Sequence, residues 1–269
     1  MCGIFAIFSS SLSNADLRRE LIRCSSKLRH RGPDWSGYVV VDKKSDSIPL
    51  SHGIAHERLA IMDPESGEQP LVSEDGNVIV AANGEIYNFK DLYGDLKTPY
   101  TPKTGSDCEV ILPLYAQEGA GISFPKKLRG MFSFVLYDKS KDLFFICRDH
   151  IGITPLYIGW GNDGSVYVSS EMKSLSSECS KFQSFPPGHV YCNKGPDANK
   201  FVRWFEPTWA PKMLPELAPP KNTILSPFRN SFSLLLIPLA SALSRCFSIR
   251  RHSLEMWSTV SLLCRDIDM

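Results

Sequence analysis

Met1-Cys2-Gly3-Ile4-Phe5-Ala6-Ile7-Phe8 is the stretch from which the rest of the chain is read. Ile4 to Phe8 are apolar on both alternating faces, which predicts a strand covered on each side that fixes the terminus in place. Removal of Met1, usual before a small side chain, leaves a free α-amine on Cys2. Thiol and amine then share one carbon. A thiol with an ordinary pKa of about 8.5 is only a few per cent thiolate at pH 7 and needs a base. The α-amine, at about 7.7–8.0, can accept that proton directly or through one water. Gly3 lets a backbone or a substrate come close. The plain alternative is a cysteine that merely happens to precede a buried strand, and the terminus alone leaves both readings open.

The rest of the composition narrows the setting. A chain of 269 residues holds one large domain, or one domain and an appendage. Its 43% apolar and 22% charged residues are ordinary for a soluble globular protein. A net charge of +1 gives no electrostatic case for nucleic acid or an anionic membrane as partner. The start lacks a basic, then apolar, signal pattern, and no apolar run reaches the roughly 18 residues of a membrane span. The eight cysteines include no CxxC pair, which fits reduced thiols and a cytoplasmic location.

Working outward, Asn14 is expected to cap a helix with Asp16 in its first turn, and Leu17, Leu21, Cys24 and Leu28 recur at helical spacing. The helix should end in Lys27-Leu28-Arg29-His30-Arg31, where Arg29 and Arg31 read as dipole compensation. Gly32-Pro33-Asp34-Trp35-Ser36-Gly37 is a rigid loop, followed by a strand at Tyr38-Val39-Val40-Val41. Residues 51–61 predict a strand with an irregular middle. His52 and His56 there invite a metal reading, but no thiolate or carboxylate set completes a site. Arg58, among apolar neighbours, needs a partner: a structural salt bridge, or the carboxylate of a ligand.

Asn77 to Ala82 predicts a strand running into Asn83-Gly84-Glu85-Ile86-Tyr87-Asn88. Asn-Gly is usually a hairpin turn. Here it suggests a carboxamide and a bare amide exposed at a strand end, the two neutral donors of an oxyanion hole. Ser106 and Glu109 match a capping box, opening a helix that Pro113 should kink. Asp107 is either a helix-dipole carboxylate or the partner of a ligand amine. Residues 130–138 with 143–149, and 156–160 with 165–169, predict two antiparallel hairpins. Strands buried on both faces and interleaved with helices imply two packed sheets with helices outside.

Together these stretches resemble the class-II glutamine amidotransferases, whose glutaminase domain is an N-terminal-nucleophile hydrolase. The match is nearest to the N-terminal half of the glutamine-hydrolysing asparagine synthetases. It rests on Met1-Cys2-Gly3-Ile4, Arg29-His30-Arg31-Gly32-Pro33-Asp34-Trp35-Ser36-Gly37, His56-Glu57-Arg58-Leu59 and Asn83-Gly84-Glu85-Ile86-Tyr87-Asn88. Thr104-Gly105-Ser106-Asp107, Gly130-Met131-Phe132, Arg148-Asp149-His150-Ile151-Gly152 and Ser170-Glu171-Met172-Lys173 extend it. The resemblance implies an α+β fold, a four-layer αββα sandwich of two antiparallel sheets, over residues 2–205. It implies that Cys2 attacks the side-chain amide of glutamine while its own α-amine carries the proton. Asn83 and the amide of Gly84 would hold the oxyanion. Arg58 would bind the α-carboxylate of glutamine, Asp107 and Glu85 its α-amino group, and Leu59, Ala60, Ile61 and Met62 would line the pocket.

The resemblance then stops. The Ser-Gly-Gly-x-Asp-Ser loop of the synthetase half, which binds ATP, does not occur. Residues 206–232 read as a Pro-rich linker and the start of a missing synthetase domain, and 233–269 as a divergent tail, as in a truncated or frame-shifted product. The glutaminase step would need no cofactor, while ATP and Mg would belong to the missing domain. Glutamine is the expected small-molecule partner, and a full-length synthetase subunit or a second copy of the chain the expected protein partner. Two rivals stand beside this reading: another class-II amidotransferase, and a glutamine-binding fragment without turnover.

Overall fold

In the computed structural model, residues 1–43 and 50–206 are described. From residue 207 onward, the expected linker and tail lie outside the described residues.

The chain opens with β1 (Gly3–Ser10), α1 (Asn14–Ser25), β2 (Trp35–Lys43) and β3 (Leu50–Arg58). β4 (Leu71–Val72), β5 (Val78–Ile86), α2 (Phe89–Gly94) and α3 (Ile111–Glu118) follow. The second half is β6 (Gly130–Asp138), β7 (Leu143–Arg148), β8 (Tyr157–Trp160), β9 (Val166–Ser169), β10 (Lys181–Ser184), β11 (His189–Cys192) and β12 (Phe201–Arg203). These strands form two six-stranded antiparallel sheets, ordered β10-β8-β9-β1-β3-β2 and β12-β11-β7-β6-β5-β4.

Period-two alternation sorts every strand between two cores. Ile4, Ala6, Phe8 and Ile54 of the first sheet meet Ile79, Ala81, Val135 and Tyr137 of the second in the seam between the sheets. The opposite face of the first sheet, Phe5, Ile7 and Ala55, is covered by Leu17, Leu21, Cys24 and Leu28. The outer face of the second sheet, Val80, Ala82 and Phe134, is covered by Ile111, Leu114, Tyr115 and Phe124. The result is the expected αββα layering. Phe8, fully buried, stacks on Phe144 across the seam with ring centroids 4.5 Å apart. Emptying that position with Phe8→Ala would cost about 3–5 kcal/mol.

Several local expectations are corrected. The cap of α1 is Ser13, whose hydroxyl accepts from Asp16 N, while Asn14 is the first helical residue. β3 pairs without interruption from Leu50 to Arg58 on β2, so its middle is regular. Asn83 and Gly84 are neither a turn nor a strand end: β5 runs through them, opposite Ser133 and Phe132 of β6. Gly84 has φ of +137°, and a Cβ there would stand 2.0 Å from Met131 O, so only glycine suits this position.

The capping box does not form. Glu109 turns away from Ser106 and accepts from Lys103 N, Thr104 N, Thr104 Oγ1 and Tyr100 Oη. Asp107 to Val110 is a 3₁₀ turn, which moves the start of α3 to Ile111 and places Pro113 in its first turn. A first-turn N–H has no intrahelical acceptor, so Pro113 removes no helical bond. His52 and His56 do not converge: His52 Nδ1 accepts from Ser9 N, whereas His56 Nε2 donates to Ala82 O.

Candidate active site

Cys2 stands one residue before β1, at the end of the seam between the sheets. Its position is fixed from several sides. Arg31 Nε donates to Cys2 O at 2.9 Å, and Arg31 Nη1 pairs with Glu171 Oε1 at 3.1 Å. Ile4 N donates to Ser170 Oγ at 2.9 Å, and Ser170 N donates to Ile4 O at 2.9 Å. Gly3 packs so tightly that a Cβ would meet Leu28 Cβ at 2.8 Å. The basic end of the first helix therefore anchors the Cys2 segment, a role that helix-dipole reasoning did not reveal for Arg31. Arg29, by contrast, donates to Ser36 at the surface.

Leu59 N donates to Cys2 Sγ at 3.4 Å, which favours a thiolate. Burial acts the other way and is the larger effect, raising the thiol above its ordinary value against the Leu59 amide, the terminal ammonium, Arg58 and Arg31. In the resting site the sulfur is therefore held as a thiol, and a base is needed to activate it.

A cavity of about 170 Å³ opens beside the sulfur. That is well below the roughly 300–1,000 Å³ of drug-sized pockets and suits a small metabolite. Met1, Cys2, Arg58, Leu59, Ile61 and Met62 line it from the first sheet and the loop after it. Gln69, Asn83, Gly84, Glu85, Asp107 and Cys108 line the opposite side. Of the residues expected at the site, Ala60 alone is outside the wall, its N–H turned to Asp34 Oδ2 at 2.8 Å. Gln69 and Cys108 are among the lining residues the sequence reading missed, and the Cys108 thiol is buried. Its sulfur lies 3.8 Å from Asp107 Oδ2, and burial drives its thiol far up.

The polar side chains of this cavity lack partners of their own kind. Arg58 is 5% exposed, and no carboxylate among the described residues lies within ion-pair distance of it. Its guanidinium is propped by the carbonyls of Met62 at 3.1 Å, Pro64 at 3.2 Å and Asp63. The structural salt bridge considered for Arg58 is thus not formed. Asp107 is 4% exposed and faces no cation among the described residues. Its Oδ2 accepts from Ile86 N at 2.5 Å. Burial raises its pKa, and the nearby charge of Glu85 adds to this, against the Ile86 amide.

Both side-chain atoms of Asn83, 1% exposed, are without a hydrogen-bond partner among the described residues. Along β5, Ala82 and Ile86 send their N–H groups away from β6, to the Gln69 carboxamide and the Asp107 carboxylate. Strand alternation turns the N–H of Gly84, between them, toward the same pocket edge. Unpaired buried polar groups are costly and need an explanation in what occupies the site. Here Asn83, without a hydrogen-bond partner among the described residues, shares one cavity with the Cys2 thiol and with two buried charges that lack counter-charges there.

A family model described as glutamine amidotransferase domain matches residues 1–187. The chain belongs to that family. Among relatives of this amidotransferase, the glutamine-hydrolysing asparagine synthetase of Sandersonia aurantiaca is 48% identical over 217 residues, 81% of this chain and 39% of the relative. Asparagine synthetase 1 of Arabidopsis thaliana is 45% identical over 231 residues, 86% of this chain and 37% of the relative. The chain thus spans under two-fifths of the length of these two relatives. The structure of the glutamine phosphoribosylpyrophosphate amidotransferase of B. subtilis superposes with a TM-score of 0.61 at 20% identity, covering 77% of this chain and 50% of the other. That likeness supports the fold, an αββα sandwich of two antiparallel sheets. Among the described residues no helix is long and apolar enough to cross a membrane.

Proposed function

We propose that this glutamine amidotransferase domain hydrolyses the side-chain amide of glutamine, with Cys2 as nucleophile, as the glutaminase half of an asparagine-synthesising system. The observation that carries the reading is the paired shortage in the cavity: Arg58 without an anion and Asp107 without a cation, both buried beside Cys2. An α-amino acid brings one charge of each sign. Its carboxylate fits Arg58, and its ammonium fits Asp107 with Glu85 beside it.

With those charges gripped, the side-chain amide reaches Cys2. The α-amine, free once Met1 is removed, takes the thiol proton as Sγ forms a bond to the amide carbon. The carbonyl oxygen becomes an oxyanion received by Asn83 Nδ2 and the Gly84 N–H. The proton passes to the amide nitrogen, the C–N bond breaks, and ammonia leaves a glutamyl thioester. Water, deprotonated by the same amine, attacks the thioester and returns Cys2 and glutamate. Leu59, Ile61 and Met62 close the cavity on the solvent side.

No cofactor enters this step. ATP and Mg would serve the acceptor chemistry of a synthetase domain, whose consumption of the ammonia with aspartate is part of the proposal, as is a cytoplasmic setting. Incubation of purified protein having a free Cys2 with glutamine should release glutamate and ammonia in equal amounts. Folded Cys2→Ala protein should release neither. Glutamate release by Cys2→Ala at the wild-type rate would overturn the assignment.

A further inference from the structure

Asn83 poses a problem of orientation. Its carboxamide has no partner among the described residues, so nothing but its own backbone aims it at the cavity. That backbone lies near the edge of its sheet. Among the described residues, β4 covers β5 only at Ile79 and Val80, and by Ala82 no strand remains on that side. Two side chains take the place of the missing strand. Gln69 Oε1 accepts from Ala82 N at 2.7 Å, and His56 Nε2 donates to Ala82 O at 3.0 Å. Both amide groups of the residue before Asn83 are thereby held by side chains.

The histidine does more than satisfy a carbonyl. His56 sits on β3, two residues before Arg58, in the sheet that carries Cys2. Ala82 belongs to the other sheet. The bond crosses the seam at the edge of the cavity, linking the strand of Arg58 to the strand of Asn83 and Gly84. His56 is completely buried, and burial lowers its pKa to about 4, so the ring is neutral near pH 7 and carries its proton on Nε2.

We propose that His56, with Gln69, is a positioning residue for the oxyanion site: it sets the distance from the nucleophile sheet to Asn83 and Gly84. The proposal rests on the glutaminase reading above. It predicts a defect in turnover and not in glutamine binding, because Arg58 and Asp107 keep their own supports.

The test compares wild type, His56→Leu, His56→Gln and Gln69→Leu, all with a free Cys2. His56→Leu should lower kcat for glutamine hydrolysis by about 10- to 100-fold at unchanged KM, the scale expected when donors are misplaced by a fraction of an ångström to one ångström. His56→Gln, which keeps an N–H donor, should recover most of that loss. Gln69→Leu supplies a second variant should His56→Leu fail to fold, with the same split between kcat and KM.

Hydrogen-exchange mass spectrometry over residues 80–86 should show faster exchange in His56→Leu and Gln69→Leu, with β1 unchanged. A folded His56→Leu enzyme with wild-type kcat would overturn the proposal. So would equal exchange over residues 80–86 in wild type and both leucine variants. If wild type itself lacks turnover, the glutaminase reading falls, and the exchange comparison still decides whether His56 and Gln69 hold the Asn83 segment.

Discussion

His56 should make the protein sensitive to mild acid, and its pKa sets the size of the effect. The ring titrates at about 4 in the folded chain, lowered from 6.5 by burial. Between those values the unfolded chain binds a proton that the folded chain does not. Stability therefore rises with pH across this window and falls as the pH drops through it. At about 1.4 kcal/mol per pH unit, the whole window corresponds to about 3 kcal/mol, of which about 2 kcal/mol lies between pH 7 and pH 5. With a urea m-value of about 2 kcal/mol/M, the unfolding midpoint should move down by about 1 M over that range. Carboxylates held low by their partners, such as Glu171 at about 2, act in a different window. Their contribution is present above the ordinary carboxylate range and is lost as the pH falls below about 4.5. Urea titrations of wild type and His56→Gln at half-unit steps from pH 7.5 to 5 separate the two. His56→Gln should be nearly flat where wild type slopes. Parallel curves would show that the buried imidazole is not the group responsible.

Further outcomes concern the cavity itself. Arg58→Ala and Asp107→Ala should each raise KM for glutamine, by about 2–5 kcal/mol of lost binding because each leaves a buried charge on the ligand unpaired; unchanged KM in both would make them structural ions. Asn83→Ala should lower kcat by about 10²–10³ with little change in KM, measured as glutamate release at saturating glutamine. In protein that retains Met1, iodoacetamide labelling of Cys2 should still be accelerating at pH 9, because burial holds the thiol above its ordinary value; a plateau below pH 8 would contradict that direction. An uncleaved tag ahead of Met1 should abolish hydrolysis, since it converts the amine to an amide, and full activity with the tag intact would remove the α-amine from the mechanism.

Much of the architecture was legible because the seam strands carry their burial on both faces. Ile4 to Phe8, Phe132 to Tyr137 and Leu143 to Cys147 admit few arrangements other than strands in a covered sheet. Placement at the cavity was legible where a residue was anomalous for its surroundings, as Arg58 is among apolar neighbours. What failed was local rule reading at places where a distant partner decides. Ser106 and Glu109 satisfy a capping pattern, but Glu109 finds four donors in the loop from Tyr100 to Thr104 and leaves the cap. Asn83-Gly84 reads locally as a carboxamide and an amide at a strand end, but β6 continues to pair opposite it as far as Ile86. Arg31 looks like any basic helix end, and its bond to Cys2 O depends on a segment 29 residues earlier returning to meet it. No pattern within a window of a few residues contains that information.

On the glutaminase reading proposed above, the division of labour between the sheets would let the cavity select a zwitterion. The first sheet supplies the thiol and the cation, and the second, with the turn that follows it, supplies Asn83, Gly84 and the anion. Arg58 is fixed by the carbonyls of Met62, Asp63 and Pro64, and Asp107 by the amide of Ile86. Each charge is thus held by backbone of its own half, and neither can swing across to neutralise the other. Two buried opposite charges kept apart in this way are stabilised most by a ligand that meets both at once, since either charge left alone bears its own desolvation cost. An α-amino acid would meet both, and the seam contact at His56 links the two strands it must span. On that proposal, selectivity for the amino-acid end of glutamine would be a property of sheet packing as much as of the two charged residues.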